Sequence, residues 1–305
     1  MYDIIVVGAG PAGLTAAIYA RRAEKSVLVI EKECFGGQIT HSPRVENYSG
    51  FASLSGSELG DKMLEHAMSL GAEIELDTVT GISGEKGNIT VKCEGAEYSS
   101  KTVIIATGSK HRTLGLDDEE LYCGEGISYC AVCDGAFYKD KTVAIIGGGN
   151  SALQEAVLLS EGCKKVYVVQ NLSFLTGEAK LAQILNERDN VEVILSSVVT
   201  QFIGDGKTLS GIRILNTEKG EETELRLDGV FVAIGQKPEN EAFEDVVSLD
   251  GTGYIVAGED CEPKTEIPGV FVAGDCRTKK IRQVATAAAD GATAAISATR
   301  FIDML

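Results

Sequence analysis

Cys130 and Cys133 are the side chains of this 305-residue chain best spaced for chemistry. Two intervening residues let the sulfurs bridge and can lower one thiol pKa, which suits reversible dithiol–disulfide exchange. The competing readings are half a zinc site or two inert buried thiols. No second CxxC or CxxH completes a metal set, and His41, His66 and His111 lie far from the pair and from one another in sequence, so no metal is expected. The cysteines at 34, 93, 123, 163, 261 and 276 are isolated and read as small core residues. Cys34 and Cys276 stand near the motifs below but have no neighbouring cysteine, so neither is expected to react.

A second chemistry is written in Gly8-Ala9-Gly10-Pro11-Ala12-Gly13. Gly8 permits a tight bend, Gly10 a close approach of backbone to pyrophosphate, and Gly13 close helix packing, with the phosphates at a helix N-terminus. Glu31 lies 23 residues after Gly8, where an acid accepts hydrogen bonds from ribose hydroxyls. The alternative is a tight turn with no ligand. Gly147, Gly149 and Ala152 repeat the spacing, but 23 residues after Gly147 stands Gln170. The run Gln170-Asn171-Leu172-Ser173-Phe174-Leu175-Thr176 carries neither acid nor cation.

The elements that must position these residues follow from apolar patterning. Ile4 to Val7, the glycines, an Ala-rich helix from Leu14 to Arg22 and a strand from Ser26 to Ile30 form a βαβ unit. Thr142 to Ile146, a helix from Leu153 to Ser160 and a strand from Val166 to Val169 form another. Alternating segments at Glu73 to Leu76, Asn88 to Cys93 and Glu97 to Ile105 extend the first unit, and a set from Val191 to Ala233 extends the second. Gly269 to Asp275 reads as a buried strand meeting a helix, with the first unit as its partner. The expected class is α/β: two Rossmann-like, three-layer ββα nucleotide-binding domains, the first discontinuous over 1–115 and 245–305, the second spanning 116–244.

Length fits two domains with full cores. A 44% hydrophobic, 24% charged composition excludes disordered and fibrous classes. A net charge of −17 argues against nucleic acid or anionic lipid as partner. No apolar run spans a bilayer and no signal segment opens the chain, so a cytoplasmic protein without membrane contact is expected.

Gly36-Gly37-Gln38-Ile39, Ala106-Thr107-Gly108, Cys130-Ala131-Val132-Cys133-Asp134-Gly135 and Gly274-Asp275 occur in one order, and with them the chain resembles the low-molecular-weight thioredoxin reductases over nearly its whole length. That resemblance implies non-covalent FAD in the first domain. The Gly36 to Ile39 segment would pack by the flavin, with Asn47 and Val79 also cofactor-side, and Gly274-Asp275 would contact the ribityl and phosphate region. Arg282-Gln283-Val284 would lie beside the isoalloxazine. Cys133 would face the flavin, Cys130 would attack the disulfide of thioredoxin, and Asp134 would carry the proton, although a turn or cap role for Asp134 stands beside this. The resemblance also implies that the central domain rotates, with hinges near residues 112–120 and 238–248. A homodimer is the expected assembly.

NADPH-dependent relatives carry a His-Arg-Arg run and a further Arg where this chain has residues 170–176. Amides and hydroxyls replace such charge-assisted phosphate contacts poorly. A complete FAD half beside this altered region resembles the ferredoxin-dependent flavin thioredoxin reductases of anaerobic bacteria. There two reduced ferredoxins would each deliver one electron to FAD, which passes a pair to the disulfide. The alternatives are an NAD(P)H-dependent reductase with an atypical pocket, a second flavin in that pocket, or a flavin redox sensor. Ferredoxins are generally acidic, so a basic face near the flavin is required; Arg277, Lys279, Lys280 and Arg282 are the expected dock, with Arg21, Arg22 and Lys25 in reserve. The bland reading is a solvated charged loop.

Overall fold

The computed structural model describes Met1–Leu305 and divides into two compact units, Met1–Lys110 with Lys237–Leu305, and His111–Gln236. In the first, a seven-stranded sheet runs in the order Glu73–Leu76, Val27–Glu31, Tyr2–Val7, Glu97–Ile105, Asn88–Cys93, Val79–Glu85, with Val270–Val272 also beside Glu97–Ile105. Tyr2–Val7 is central and parallel to both neighbours, Ile4 opposite Val27 on one side and Thr102 on the other. Both faces of a central strand are covered, which is why Ile4, Ile5, Val6 and Val7 form an unbroken apolar run. Ile4 and Val6 pack with the helices, whereas Ile5 and Val7 pack on the other face with Ile89, Val91 and Phe243. The helix Pro11–Arg22 lies against the long helix Val284–Asp303 through alanines, among them Ala16, Ala294 and Ala298.

The second unit has a parallel sheet in the order Val191–Ile194, Lys165–Val169, Thr142–Ile146, Gly229–Val232, Ile127–Ser128. A three-stranded antiparallel sheet, Ser197–Gly204, Leu209–Asn216 and Glu222–Arg226, accompanies it. The chain leaves Ile127–Ser128 directly into the short helix Ala131–Asp134, which places the cysteine pair at the end of a sheet strand.

The two chain crossings fall earlier than positions 115/116 and 244/245, and two buried polar residues explain why. Glu119 accepts from the amides of Leu114 and Gly115 and from the Tyr129 hydroxyl, so the chain from Leu114 onward is fastened within the second unit. Asn240 donates to the carbonyls of Gly253 and Cys276 and accepts from Thr107, which fastens the returning chain within the first. Glu119 and Asn240, which lie within the two expected hinge segments, are thus each hydrogen-bonded within one unit. No helix is long and apolar enough to cross a membrane.

Candidate active site

The glycine-rich turn of the first unit is shaped by contact. Gly8 has φ +105°, and a side chain there would run into the Ala106 carbonyl at the end of the neighbouring strand. Over Gly10 there is open space where a Cβ would stand, at the N-cap of the helix Pro11–Arg22, which has no side-chain cap. Glu31 accepts from the Ala9 amide at 2.8 Å, while its other oxygen takes the amides of Lys32 and Glu33. The Gly36 amide donates to the Ala9 carbonyl, so the Gly36-Gly37 segment, continued by Gln38, closes over the same turn.

From the far end of the chain, Gly274 approaches Ala12 so closely that a Cβ would lie 2.7 Å from its methyl. Thr107 and Gly108 follow the strand end on the other side, Gly108 with open space around it. Asn47 donates to Gln283 at 3.3 Å, and Gln283 caps the helix that Val284 begins. Asp275 Oδ1 and Arg282 Nε are shut from solvent with no hydrogen-bond partner; Lys279 Nζ is 3.6 Å from Asp275. Burial pushes the Asp275 carboxyl up, against Lys279 and Arg282. A buried acceptor, a buried donor and an open helix N-terminus are the fittings of a polar, anionic ligand such as a dinucleotide. Val79 opens the strand Val79–Glu85 two residues after Asp77, whose amide donates to the Glu31 carbonyl, and its side chain packs in the cluster on the opposite face of the sheet from the helix Pro11–Arg22.

The second unit holds Cys130 and Cys133 as a disulfide, with Cα atoms 5.3 Å apart. The Cys133 amide donates to Cys130 Sγ at 3.2 Å. Ser128, buried, takes the Cys130 amide at 3.1 Å and donates to Asp134 Oδ2 at 2.6 Å. Asp134 Oδ1 is buried without a partner, and burial raises this carboxyl despite the Ser128 bond. Val132, between the cysteines, is 60% exposed. The arrangement can break and remake one disulfide beside an acid inclined to keep its proton. By contrast Cys276 is buried and its thiol pushed up to about 11 by burial. Cys34 is exposed, its Sγ 3.5 Å from the Thr40 hydroxyl.

The second glycine-rich turn repeats the first in backbone only. Gly147 has φ +132°, and a side chain there would meet the Ala233 carbonyl, as at Gly8; the turn needs this glycine with or without a ligand. Gln170 is buried, lies against Gly148, and donates to the Phe174 carbonyl at 3.3 Å. The amides of Thr176 and Gly177 both donate to the Gly148 carbonyl, and Asn150 Oδ1 takes the Glu178 amide. Among the exposed side chains of this segment are Leu172 and Phe174, at 40% and 60%, and none is a cation.

The basic run at 277–282 does not form the expected four-cation face. Arg277 is buried and donates from Nε and Nη2 to the two oxygens of Asp290, each at 2.9 Å. Lys279 reaches the same carboxylate at 3.0 Å with its side chain 8% exposed. Arg282 lies over the Tyr254 ring at 4.1 Å, which leaves Lys280 as the cation turned to solvent. One acid on the helix Val284–Asp303 has drawn two charges inward. In the reserve patch, Arg21 donates to the carbonyls of Leu70 and Lys25, Lys25 pairs with Asp303, and Arg22 is exposed.

Three side chains beside these sites escaped the sequence reading: Ser128, Asp290 and Glu155, the last accepting from the Ala131 amide at 3.3 Å. Glu155 carried a usable signal. It lies three residues after Ala152 and four before Leu159, on the stripe where the helix Asn150–Gly162 is otherwise apolar and buried.

Residues 2–291 match the family model for pyridine nucleotide-disulphide oxidoreductases. The chain is 40% identical over 305 residues to a thioredoxin reductase of Listeria monocytogenes, covering 100% of this chain and 95% of that one. It is 41% identical over 301 residues to a 34.2 kDa protein in the rubredoxin operon of Clostridium pasteurianum, covering 98% and 97%. The crystal structure of a thioredoxin reductase from Streptococcus pyogenes superposes with a TM-score of 0.95 at 39% identity, covering 100% of this chain and 99% of that one.

Proposed function

This chain belongs to the pyridine nucleotide-disulphide oxidoreductases, within the low-molecular-weight thioredoxin reductases, and from that premise we propose that it reduces thioredoxin with electrons supplied by reduced ferredoxin. FAD is the cofactor of this family, and the fittings around Gly10, Glu31, Asp275 and Arg282 suit it. When bound, FAD accepts electrons singly and releases them in pairs, which couples a one-electron donor to dithiol chemistry. Gly8, Gly10 and the amides that open the helix Pro11–Arg22 would cradle the pyrophosphate, and Glu31 would take a ribose hydroxyl.

The protein's own steps are thiol–disulfide exchange. With Cys130 and Cys133 reduced, the Cys130 thiolate attacks one sulfur of oxidised thioredoxin and releases one thioredoxin thiolate. The Cys133 thiolate then attacks Cys130 Sγ, re-forms the disulfide and releases the second. Two electrons pass to thioredoxin, and the leaving thiolates take up two protons. Asp134, which accepts from the Ser128 hydroxyl, would hold one of them.

The observation that carries the choice of donor is the segment Gln170–Thr176: it has no cation, Gln170 packs against Gly148 and donates to the Phe174 carbonyl, and the Thr176 amide donates to the Gly148 carbonyl. Binding the 2′-phosphate of NADPH without charge-assisted contacts of about 1.5 to 3 kcal/mol each weakens it by roughly two to four orders of magnitude. Anaerobic mixing tests this. Reduced ferredoxin should bleach the flavin and sustain thioredoxin reduction, at least about 100-fold faster than the same concentration of NADPH or NADH. Flavin bleaching within seconds by stoichiometric NADPH would overturn the ferredoxin reading.

NAD(P)H is the second reading. The turn at Gly147, Gly149 and Ala152 keeps the backbone of a dinucleotide site, and this supports it.

A further inference from the structure

Glu155 has no part in the scheme above, yet it holds the first amide after Cys130. The helix Asn150–Gly162 packs against the helix Ala131–Asp134, and Glu155 Oε2 accepts from Ala131 N at 3.3 Å. Two residues on, the Cys133 amide points instead at Cys130 Sγ. One carboxyl and one sulfur are thus held by amides of the same four-residue turn, the carboxyl by the amide of the residue that follows Cys130.

We propose that Glu155 is a positioning residue that sets the reactivity of Cys130, disfavouring the Cys130 thiolate when ionised and releasing it when protonated. The inference rests on the dithiol reading and adds a regulator to it. Two like charges in one small site resist coexisting, so the ionisation of one group is felt by the other. Reduction of the disulfide requires two electrons and, for two thiols, two protons. Glu155 adds a second acid, held at the Ala131 amide, to the one Ser128 holds at Asp134.

The surroundings leave this coupling uncluttered. From the helix Ala131–Asp134 come the half-cystines and Asp134, and from the turn Gly135–Tyr138 comes Tyr138. The strand Thr142–Ile146 brings no ionisable group; the strand Lys165–Val169 brings Lys165, paired with Glu192, and Tyr167, under the Lys165 ammonium. Lys180, on the helix Ala179–Asn186, is exposed. None of these charges moves Glu155. Burial pushes its carboxyl up to about 7, opposed only by the Ala131 amide.

The test alkylates Cys130 in the full-length, FAD-loaded protein after reduction with dithiothreitol, as a function of pH, with the site read by mass spectrometry. Glu155→Gln keeps an acceptor for the Ala131 amide and removes the charge. Above pH 7 it should alkylate about three- to tenfold faster than wild type, with the difference vanishing below pH 6 where Glu155 is neutral. Glu155→Asp should retain a two-step profile. Superposable profiles for wild type and Glu155→Gln overturn the inference. So does a Glu155→Asp profile displaced as far as that of Glu155→Gln, because that is the mark of disturbed packing.

Infrared titration of wild-type protein gives a reading independent of any variant. By reciprocity the Glu155 carboxyl should ionise at higher pH in the reduced protein than in the oxidised one, and equal midpoints overturn the proposal. Failure of the dithiol reading would look different: reduced wild type would not re-form Cys130–Cys133 on exposure to oxidised thioredoxin, whatever residue 155 does.

Discussion

Cys130→Ser and Cys133→Ser should each lower thioredoxin reduction by on the order of 10³-fold or more, since a hydroxyl can replace neither the attacking nor the resolving sulfur. Both variants should retain FAD, because the proposed FAD fittings lie in Met1–Lys110 and Lys237–Leu305, whereas the cysteines lie in His111–Gln236. Their failures should differ. Cys133→Ser keeps the attacking thiol and should accumulate a mixed disulfide with thioredoxin, visible on a non-reducing gel; Cys130→Ser should form none. The reverse pattern would exchange the roles proposed for the two cysteines, and multiple turnover in either variant would remove the disulfide from the mechanism.

Asp290→Ala should be the most damaging change outside the redox pair. It leaves Arg277 and Lys279, with side chains 9% and 8% exposed, without their shared counter-charge, and it takes the acceptor from the Gly274 amide. Breaking a buried ion pair from one side costs about 3–5 kcal/mol. For a unit of this size that corresponds to a midpoint lower by roughly 10 °C. FAD content should fall as well, because Gly274 leads directly into Asp275. Lys280→Glu, on an exposed side chain, should change the midpoint by less than about 0.5 kcal/mol equivalent. Calorimetry and the flavin-to-protein absorbance ratio check both; a wild-type midpoint in Asp290→Ala would show that the network contributes nothing. Burial alone would raise the Asp290 carboxyl, but the Arg277 and Lys279 bonds outweigh it and hold it below the usual carboxylate range. Its contribution is therefore present above the unfolded carboxylate pKa and is lost as pH falls through the lower folded value.

Asp290 also marks where sequence reading ends. The strand Glu97–Ile105 and the turns at Gly8 and Gly147 are legible because backbone geometry writes itself into residue type: alternation, apolar runs, glycine where a carbonyl crowds the chain. The CxxC is legible because its partners are local. The direction taken by Arg277 and Lys279 is not, since four cations in six residues give no hint of which turn inward until the helix Val284–Asp303 brings Asp290 beside them. The same holds for Glu155, whose partner is the Ala131 amide 24 residues earlier.

The interleaving of the first unit has a consequence for how the chain is made. His111–Gln236 is contiguous, so every strand of its sheets has been synthesised before Lys237 appears. The first unit must wait: Val270–Val272 pairs with Glu97–Ile105, and the helix Val284–Asp303 is the partner of Pro11–Arg22. A nascent chain can therefore fold its redox module while the other half-sheet still exposes Ile104 and the alanines of its first helix to solvent. Closing contacts across nearly the whole sequence is slow, and during that interval the N-terminal segment is the part most exposed to aggregation or chaperone capture. Flavin capture would come last, so disulfide chemistry in the central module is present in the growing chain before the electron supply that is meant to govern it.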